Sequence, residues 1–281
     1  MKEIKSVYRA VPAHMGDLTT FRAMPTQKIQ HLDPFLFLNH HGPQTYKPHN
    51  NGLPFGPHPH RGFETLTFIF DGDIVHWDSS GFKSVIHEGG VQWMTAGSGL
   101  IHSEQSSKEF TEKGGPLEII QLWMNLPSSL KMTPPDYKGF EKDKLIHIER
   151  DDYTIHLISG TVEGITGPMD SPTNLTMMTV DIHEGGDFEI AIPEGHETLF
   201  YVVRGEVVVN GDGARKLDLV TFDRNDGIIR VHAEEESKLI IGHGLPLNEP
   251  IVAYGPFVMN SEQEIQQAFK DYEAGKLGTW S

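Results

Sequence analysis

Hydrophobic and polar residues alternate in short runs along most of this chain, and Gly, Pro, Asn and Asp interrupt them at close intervals. From residue 65, Leu66, Phe68 and Phe70 alternate with Thr65, Thr67 and Ile69, the period of two expected of a strand. Asp71-Gly72-Asp73 then reads as a tight turn, because Asp-Gly readily supplies the positive φ that such turns need, and residues 74–77 return as the next strand. Residues 85–87, 91–94 and 117–124 continue the series, and 35–38 precede it as a short strand. The Pro- and Gly-containing stretch 127–140 reads as a linker or arm. A second set of strands follows at 155–158, 175–182, 198–203, 206–209, 220–223 and 238–242, with Asn210-Gly211-Asp212-Gly213 as its clearest hairpin turn. One helix is predicted, at the C-terminal end. There Ser261 and Glu264 form a capping box, Ile265, Ala268, Phe269 and Tyr272 form an apolar stripe, and Gly275 closes the helix.

The two halves echo one another loosely. His58-Pro59-His60 with Leu66, Phe68 and Gly72 resembles Gly195-His196-Glu197 with Phe200 and Gly205, and Gly99 to His102 has a faint counterpart in Gly227 to His232. A strand-rich repeat of about 100 residues suggests a duplicated barrel.

Composition narrows the chemistry. The 281 residues carry a formal net charge of −16, which disfavours a phosphate-backbone partner or an anionic membrane. No stretch approaches the roughly 18 apolar residues of a membrane span, so a soluble cytoplasmic protein is expected. The chain has no cysteine, which removes disulfides, thiolate metal sites and cysteine nucleophiles. Any metal must therefore be held by histidine and carboxylate, a donor set suited to iron(II), manganese, nickel, cobalt, copper or zinc.

Two stretches offer such donors at i and i+2, where side chains share one face of a strand. His58 and His60 form one pair, and Pro59 between them biases His58 toward extended backbone. His102 and Glu104 form the other. If two such strands face each other inside a barrel, three imidazoles and a carboxylate converge on one ion and leave coordination positions open, as at a catalytic metal. Glu64, four residues after His60, competes for the carboxylate position. His40 and His41 are neighbours, so at most one faces inward. His76 and His87 fall within strand patterns and read as core or surface residues, and Trp93, Met94, Leu100 and Ile101 suit either a pocket wall or plain core. No phosphate-binding loop, serine nucleophile elbow or HExxH helix is evident.

The stretches His58-Pro-His-Arg-Gly-Phe-Glu64, Gln92-Trp-Met-Thr-Ala-Gly97, Gly99-Leu-Ile-His-Ser-Glu104 and Gln121-Leu-Trp-Met-Asn-Leu126, with residues 265–275, resemble the pirin family of the cupin superfamily over nearly the whole chain. The resemblance implies an all-β fold: two tandem cupin (double-stranded β-helix, or jelly-roll) barrels packed face to face, with a short C-terminal helix. A metal-binding barrel over 1–132 and a metal-free barrel with the helix over 133–281 are expected. The implied metal is Fe(II), on His58, His60, His102 and Glu104. The general cupin pattern would use Glu64 instead, and Gly195-His196-Glu197 would be the broken ligand pair of the second barrel. The implied activity is that of a quercetin 2,3-dioxygenase, which opens a flavonol ring with O2 and releases carbon monoxide. Glu104 would be both ligand and base, and Arg61 would help to orient the substrate. The rival implication is a non-enzymatic, redox-sensing regulator that binds a transcription factor or metabolic enzyme.

Overall fold

A computed structural model describes residues 1–280 and resolves the chain into two compact units that interleave in sequence. One comprises Met1–Val11, Arg22–Phe35 and Asp143–Pro246; the other comprises Pro12–Phe21, Leu36–Lys142 and Leu247–Ser281. Each is built from a large and a small antiparallel sheet.

In the unit that carries the candidate ligands, the small sheet runs Phe55–His60, Leu100–Gln105, Asp73–Asp78, Lys83–His87. Its large sheet contains, side by side, Asp136–Phe140, Val91–Thr95, Phe63–Asp71, Gly115–Asn125 and the strand that starts at Phe35 and ends at Tyr46. Leu18, Ile69, Ile74, Ile86, Leu117 and Ile119 fill the apolar end of this barrel. The other unit repeats the scheme. Its small sheet runs Asp187–Ile192, Gly227–Ala233, Glu206–Val209, Asp212–Arg215, and its large sheet centres on Asp218–Phe222, Glu197–Arg204, Ser237–Gly244 and Thr176–Ile182. Strand for strand this is the same topology, so the duplication expected from the sequence is present. Asp187–Ile192 alternates exposed and buried residues along its whole length, and Phe188, Ile190 and Ile192 enter a core with Val180, Phe200, Val202 and Ile229. Full burial of each such side chain contributes about 1.5–3 kcal/mol.

Several sequence expectations change. Residues 127–140 are not a free linker, because Asp136–Phe140 pairs with Val91–Thr95 and caps the sheet edge of the first barrel. The equivalent edge of the second barrel is covered by the N-terminal strand Ile4–Arg9, which pairs with Asp218–Phe222. Asp136–Phe140, past residue 132, thus belongs to the first barrel, and Ile4–Arg9, ahead of it, belongs to the second. The C-terminal helix, Glu262–Glu273, packs in the unit of the first barrel, where Ile265 and Ala268 meet Ile101, Phe257, Met259 and Leu277. Its capping is as expected, with Ser261 Oγ accepting from the Glu264 amide. Asp71-Gly72-Asp73 does not close a hairpin: Phe63–Asp71 lies in the large sheet and Asp73–Asp78 in the small one. Finally, a six-residue helix, Lys108–Lys113, joins the two sheets, capped by the Ser107 hydroxyl. It is too short to give a readable apolar period. Asn210-Gly211 does form the expected two-residue hairpin loop, with Val209 opposite Asp212.

Candidate metal centre

The strands Phe55–His60 and Leu100–Gln105 are antiparallel neighbours, with His58 opposite His102 and His60 opposite Leu100. The two pairs therefore meet within one sheet, side by side, instead of facing each other across the barrel. Period two keeps His58, His60 and His102 on the same face. Their ring centroids lie 4.8 Å (His58–His60), 4.4 Å (His58–His102) and 4.9 Å (His60–His102) apart. One ring nitrogen from each falls within 4.8 Å of the others, the only such three-ligand group among the described residues.

Backbone carbonyls set two of the three rings. His58 Nδ1 donates to the Gly56 carbonyl at 2.7 Å, and His60 Nδ1 donates to the Pro256 carbonyl at 3.2 Å. A neutral imidazole whose Nδ1 carries the proton keeps its lone pair on Nε2, the state a metal needs. His60 Nε2 and both nitrogens of His102 are buried without a hydrogen-bond partner. Such groups are costly to bury unpaired. Burial and the neighbouring imidazoles hold His60 neutral, its pKa pushed down to about 3, and drive His102 in the same direction. Neutral, convergent, otherwise unsatisfied imidazoles fit a divalent first-row ion.

Glu104 is buried beside this group but outside the 4.8 Å set. Thr67 Oγ1 and Gln92 Nε2 donate to its Oε1, and Gln121 Nε2 donates to its Oε2 at 2.6 Å. Both amides are oriented in turn. Tyr137 donates to Gln92 Oε1 at 3.2 Å, and Trp123 Nε1 donates to Gln121 Oε1 at 3.2 Å. The carboxylate thus sits among aligned donors on the barrel's inner face.

Glu64 is excluded as a competitor by strand parity. Thr67, which touches Glu104, and Glu64 are an odd number of residues apart on one strand and face opposite sides of the sheet. Trp93 Nε1 and Thr95 Oγ1 donate to Glu64 Oε1 at 2.9 and 2.7 Å there, and burial pushes its pKa up to about 7. His40 lies on that outer face too, 2.9 Å from Glu118, whereas His41 faces inward beside Phe55, so one of the two does point in, as expected. His76 is a core residue stacked on Tyr137 and bonded to Asp78, and His87 is an exposed partner of Glu141. Met94 and Leu100 pack with Ala96 and Tyr137, and Ile101 packs with the C-terminal helix.

Arg61 does not face the site. It is buried, donates from Nε to the Ser98 carbonyl at 2.7 Å and pairs through Nη1 with Asp271 at 2.8 Å. The aromatic residues at the site are others. Trp123 lies 5.2 Å from the His60 ring and 4.4 Å from Phe63, and Phe37 stacks on Trp123 at 4.6 Å. Gln121 and Trp123 share a strand face at i and i+2, a signal present in the sequence but not tied to any ligand there.

In the second barrel, the register places Ile190 opposite Ile229 and Ile192 opposite Gly227. In strand order these two strands correspond to Phe55–His60 and Leu100–Gln105, and apolar side chains, Phe188, Ile190, Ile192, Ile229 and Val231, fill their buried positions. Gly195 and His196 precede the next strand, Glu197–Arg204, so this stretch lies outside the strand that corresponds in order to Phe55–His60. His196 bonds His243 through Nδ1 at 2.9 Å, Glu197 pairs with Arg224, and His232 is an outward residue bonded to Asp187.

Comparison with known proteins decides the family. The pirin profile matches residues 17–124 and the pirin C-terminal cupin domain matches residues 177–278. The chain belongs to the pirin family. Its two barrels are cupin domains. It is 37% identical over 282 residues, covering 99% of both chains, to a Pseudomonas aeruginosa protein whose name provisionally assigns it as a quercetin 2,3-dioxygenase. A crystal structure of quercetin 2,3-dioxygenase from Acinetobacter baumannii matches with a TM-score of 0.93, 36% identity and 99% coverage of both chains. The bacterial pirin YhhW from Escherichia coli, solved in complex with nickel(II), shares the fold with a TM-score of 0.68 at 21% identity, covering 86% of this chain and 100% of that one. Among the described residues of this pirin, no helix is long and apolar enough to cross a membrane.

Proposed function

We propose that this pirin is a metal-dependent ring-opening dioxygenase of the quercetin 2,3-dioxygenase type, acting on flavonols or related phenols, with Fe(II) as its working metal. The observation that carries the reading is the convergence of three imidazoles, two of them fully buried with unsatisfied nitrogens, beside a carboxylate held entirely by donors. His58, His60 and His102 would hold the ion, with Glu104 as the fourth ligand. A redox-active first-row ion held there supplies Lewis acidity toward an enolic oxygen and an electron route to O2.

The chain's own residues do the rest. Glu104 takes the proton of the flavonol 3-hydroxyl, and Gln92 and Gln121 keep its two oxygens in register as the charge moves. Trp123 and Phe37 offer a flat aromatic surface beside His60 on which a planar substrate ring stacks. Buried apolar neighbours such as Phe63 and Val258 keep bulk water from that side. Similarity to the Acinetobacter enzyme over the full chain supports the same reading.

The test is carbon monoxide release from quercetin under air by metal-stripped protein reloaded with Fe(II). No release with iron bound would overturn the assignment. Glu104→Gln, checked to retain iron, is expected to abolish turnover, and full activity would reject Glu104 as the base.

A further inference from the structure

The ring of His58 is anchored locally, by a carbonyl two residues away, whereas the anchor of His60 comes from 196 residues further along. That distant carbonyl, Pro256, lies in the C-terminal arm, residues 247–280, which returns to the first barrel after the whole second barrel. The arm is fastened at several points to the residues that follow His60. Phe257 forms a parallel bridge with Arg61, and the Val258 amide donates to the Arg61 carbonyl at 3.1 Å. Arg61 Nη1 meets Asp271 of the arm helix at 2.8 Å, and Gln267 and Lys276 both donate to the other oxygen of Asp271 at 2.9 Å. The buried ammonium of Lys131 bonds the Gly62 carbonyl at 2.8 Å and the Val258 carbonyl at 3.1 Å, one acceptor on each partner. Gly62, at φ +88, lies so close that a Cβ would collide with the Val258 carbonyl. All these contacts fall within four residues of His60 or within the arm that bears Pro256.

We propose that the arm is a positioning element of the metal centre: through the Pro256 carbonyl it holds His60 as the Nδ1-protonated tautomer with Nε2 aimed inward, and the Arg61–Asp271 pair fixes the arm in that position. This deepens the metal reading above and rests on it. The consequence is specific. Loosening Asp271, on a helix that donates no ligand, weakens metal binding by freeing one ring of three.

The experiment uses the full chain, stripped of metal, with nickel(II) alone as probe, in wild type, Asp271→Ala and Asp271→Glu. Nickel affinity is read by competition with a chromogenic chelator, and histidine tautomers are read by long-range proton–nitrogen NMR of the metal-free protein. Wild type is expected to show His60 protonated on Nδ1. Asp271→Ala is expected to show a mixture of tautomers at His60, an unchanged His58 signal, and nickel affinity lower by about 10–100-fold, the range for losing a partner of a metal-ligating histidine. Asp271→Glu restores most of both. If Asp271→Ala does not fold, Asp271→Asn, which keeps the shape and removes the charge, is measured instead. A variant that melts earlier yet keeps the His60 tautomer and the nickel affinity would overturn the proposal and leave the clamp merely structural. If wild type binds no nickel and no iron, it is the metal reading that fails, and the tautomer comparison alone then decides the arm's role.

Discussion

Gln121 donates from Nε2 to Glu104 Oε2 at 2.6 Å, and the amide cannot turn around because Trp123 Nε1 donates to its oxygen at 3.2 Å. Two residues of one strand therefore present a single donor to the carboxylate. Replacing that donor by an acceptor, in Gln121→Glu, sets two carboxylates against each other at the site. Turnover of a flavonol is expected to fall by about 10–100-fold, as for other partners of metal-site ligands. Steady-state kinetics of the Fe(II)-loaded variant check this, with circular dichroism to confirm an intact fold.

Glu64 gives the matching control. It faces away from the histidines, so Glu64→Gln is expected to leave metal affinity and activity within about twofold of wild type. Its effect is on stability instead. Burial raises the folded-state pKa from 4.5 to about 7, so the native state holds a proton that the unfolded chain has released between these values. Its contribution is present in full below pH 4.5 and is lost as pH rises through 7, by on the order of 3 kcal/mol. Urea unfolding of wild type against Glu64→Gln, between pH 5 and pH 8, should show the variant gaining relative stability as pH rises.

The second barrel holds a residue of the opposite sign. Burial, with help from His196 and Lys2, lowers the pKa of His243 from 6.5 to about 4. The unfolded chain binds a proton in that window and the native state does not, so stability is present above pH 6.5 and lost as pH falls through 4, again by on the order of 3 kcal/mol. His243→Asn is expected to flatten the dependence of thermal stability on pH between 4 and 6.5. An unchanged slope would place the acid sensitivity elsewhere.

Phe37 touches none of the metal-side hydrogen bonds but stacks on Trp123. Phe37→Leu keeps apolar volume and removes the flat ring. If planar substrates stack there, KM for quercetin rises by about tenfold with kcat nearly unchanged, since a stacking contact contributes roughly 0.5–1.5 kcal/mol. An equal loss in kcat would instead put Phe37 in the chemical step.

Lys131 bonds Gly62, Asn125 and Val258 from a buried position. Lys131→Met removes a charge whose burial is costly but leaves three buried acceptors without their donor. Net destabilisation of about 2–4 kcal/mol in denaturant unfolding is expected.

Much of this was legible in the residues themselves. His58, His60 and His102 share a face because i, i+2 spacing and Pro59 dictate extended backbone, and the structure unites them. The Ser261–Glu264 capping box marked its helix. What was not legible depended on contacts that no local pattern encodes. Period two could not say which face of the strand at 63–71 turns inward, because both faces are buried; the inner face is Thr65, Thr67 and Ile69, with Leu66 and Phe68 on the other. Arg61 looked like a substrate contact from its place in the motif, and only its partner 210 residues away, Asp271, shows its role. Motif likeness sets His196 beside the ligand pair, whereas strand order sets Asp187–Ile192 in the place of Phe55–His60. Nor does any local pattern show that Asp136–Phe140 pairs into the first barrel and Ile4–Arg9 into the second.

The return of the C-terminal arm also bears on how the molecule is made. A ribosome delivers the chain from its N-terminal end, and domains generally fold in that order. Ligand strands 55–60 and 100–105 emerge early and pair with each other. Pro256 and Asp271 follow only after the second barrel has been synthesised. Until then the carbonyl that anchors His60 has not been made. The centre begun by strands 55–60 and 100–105 is completed by residues that follow the whole second barrel.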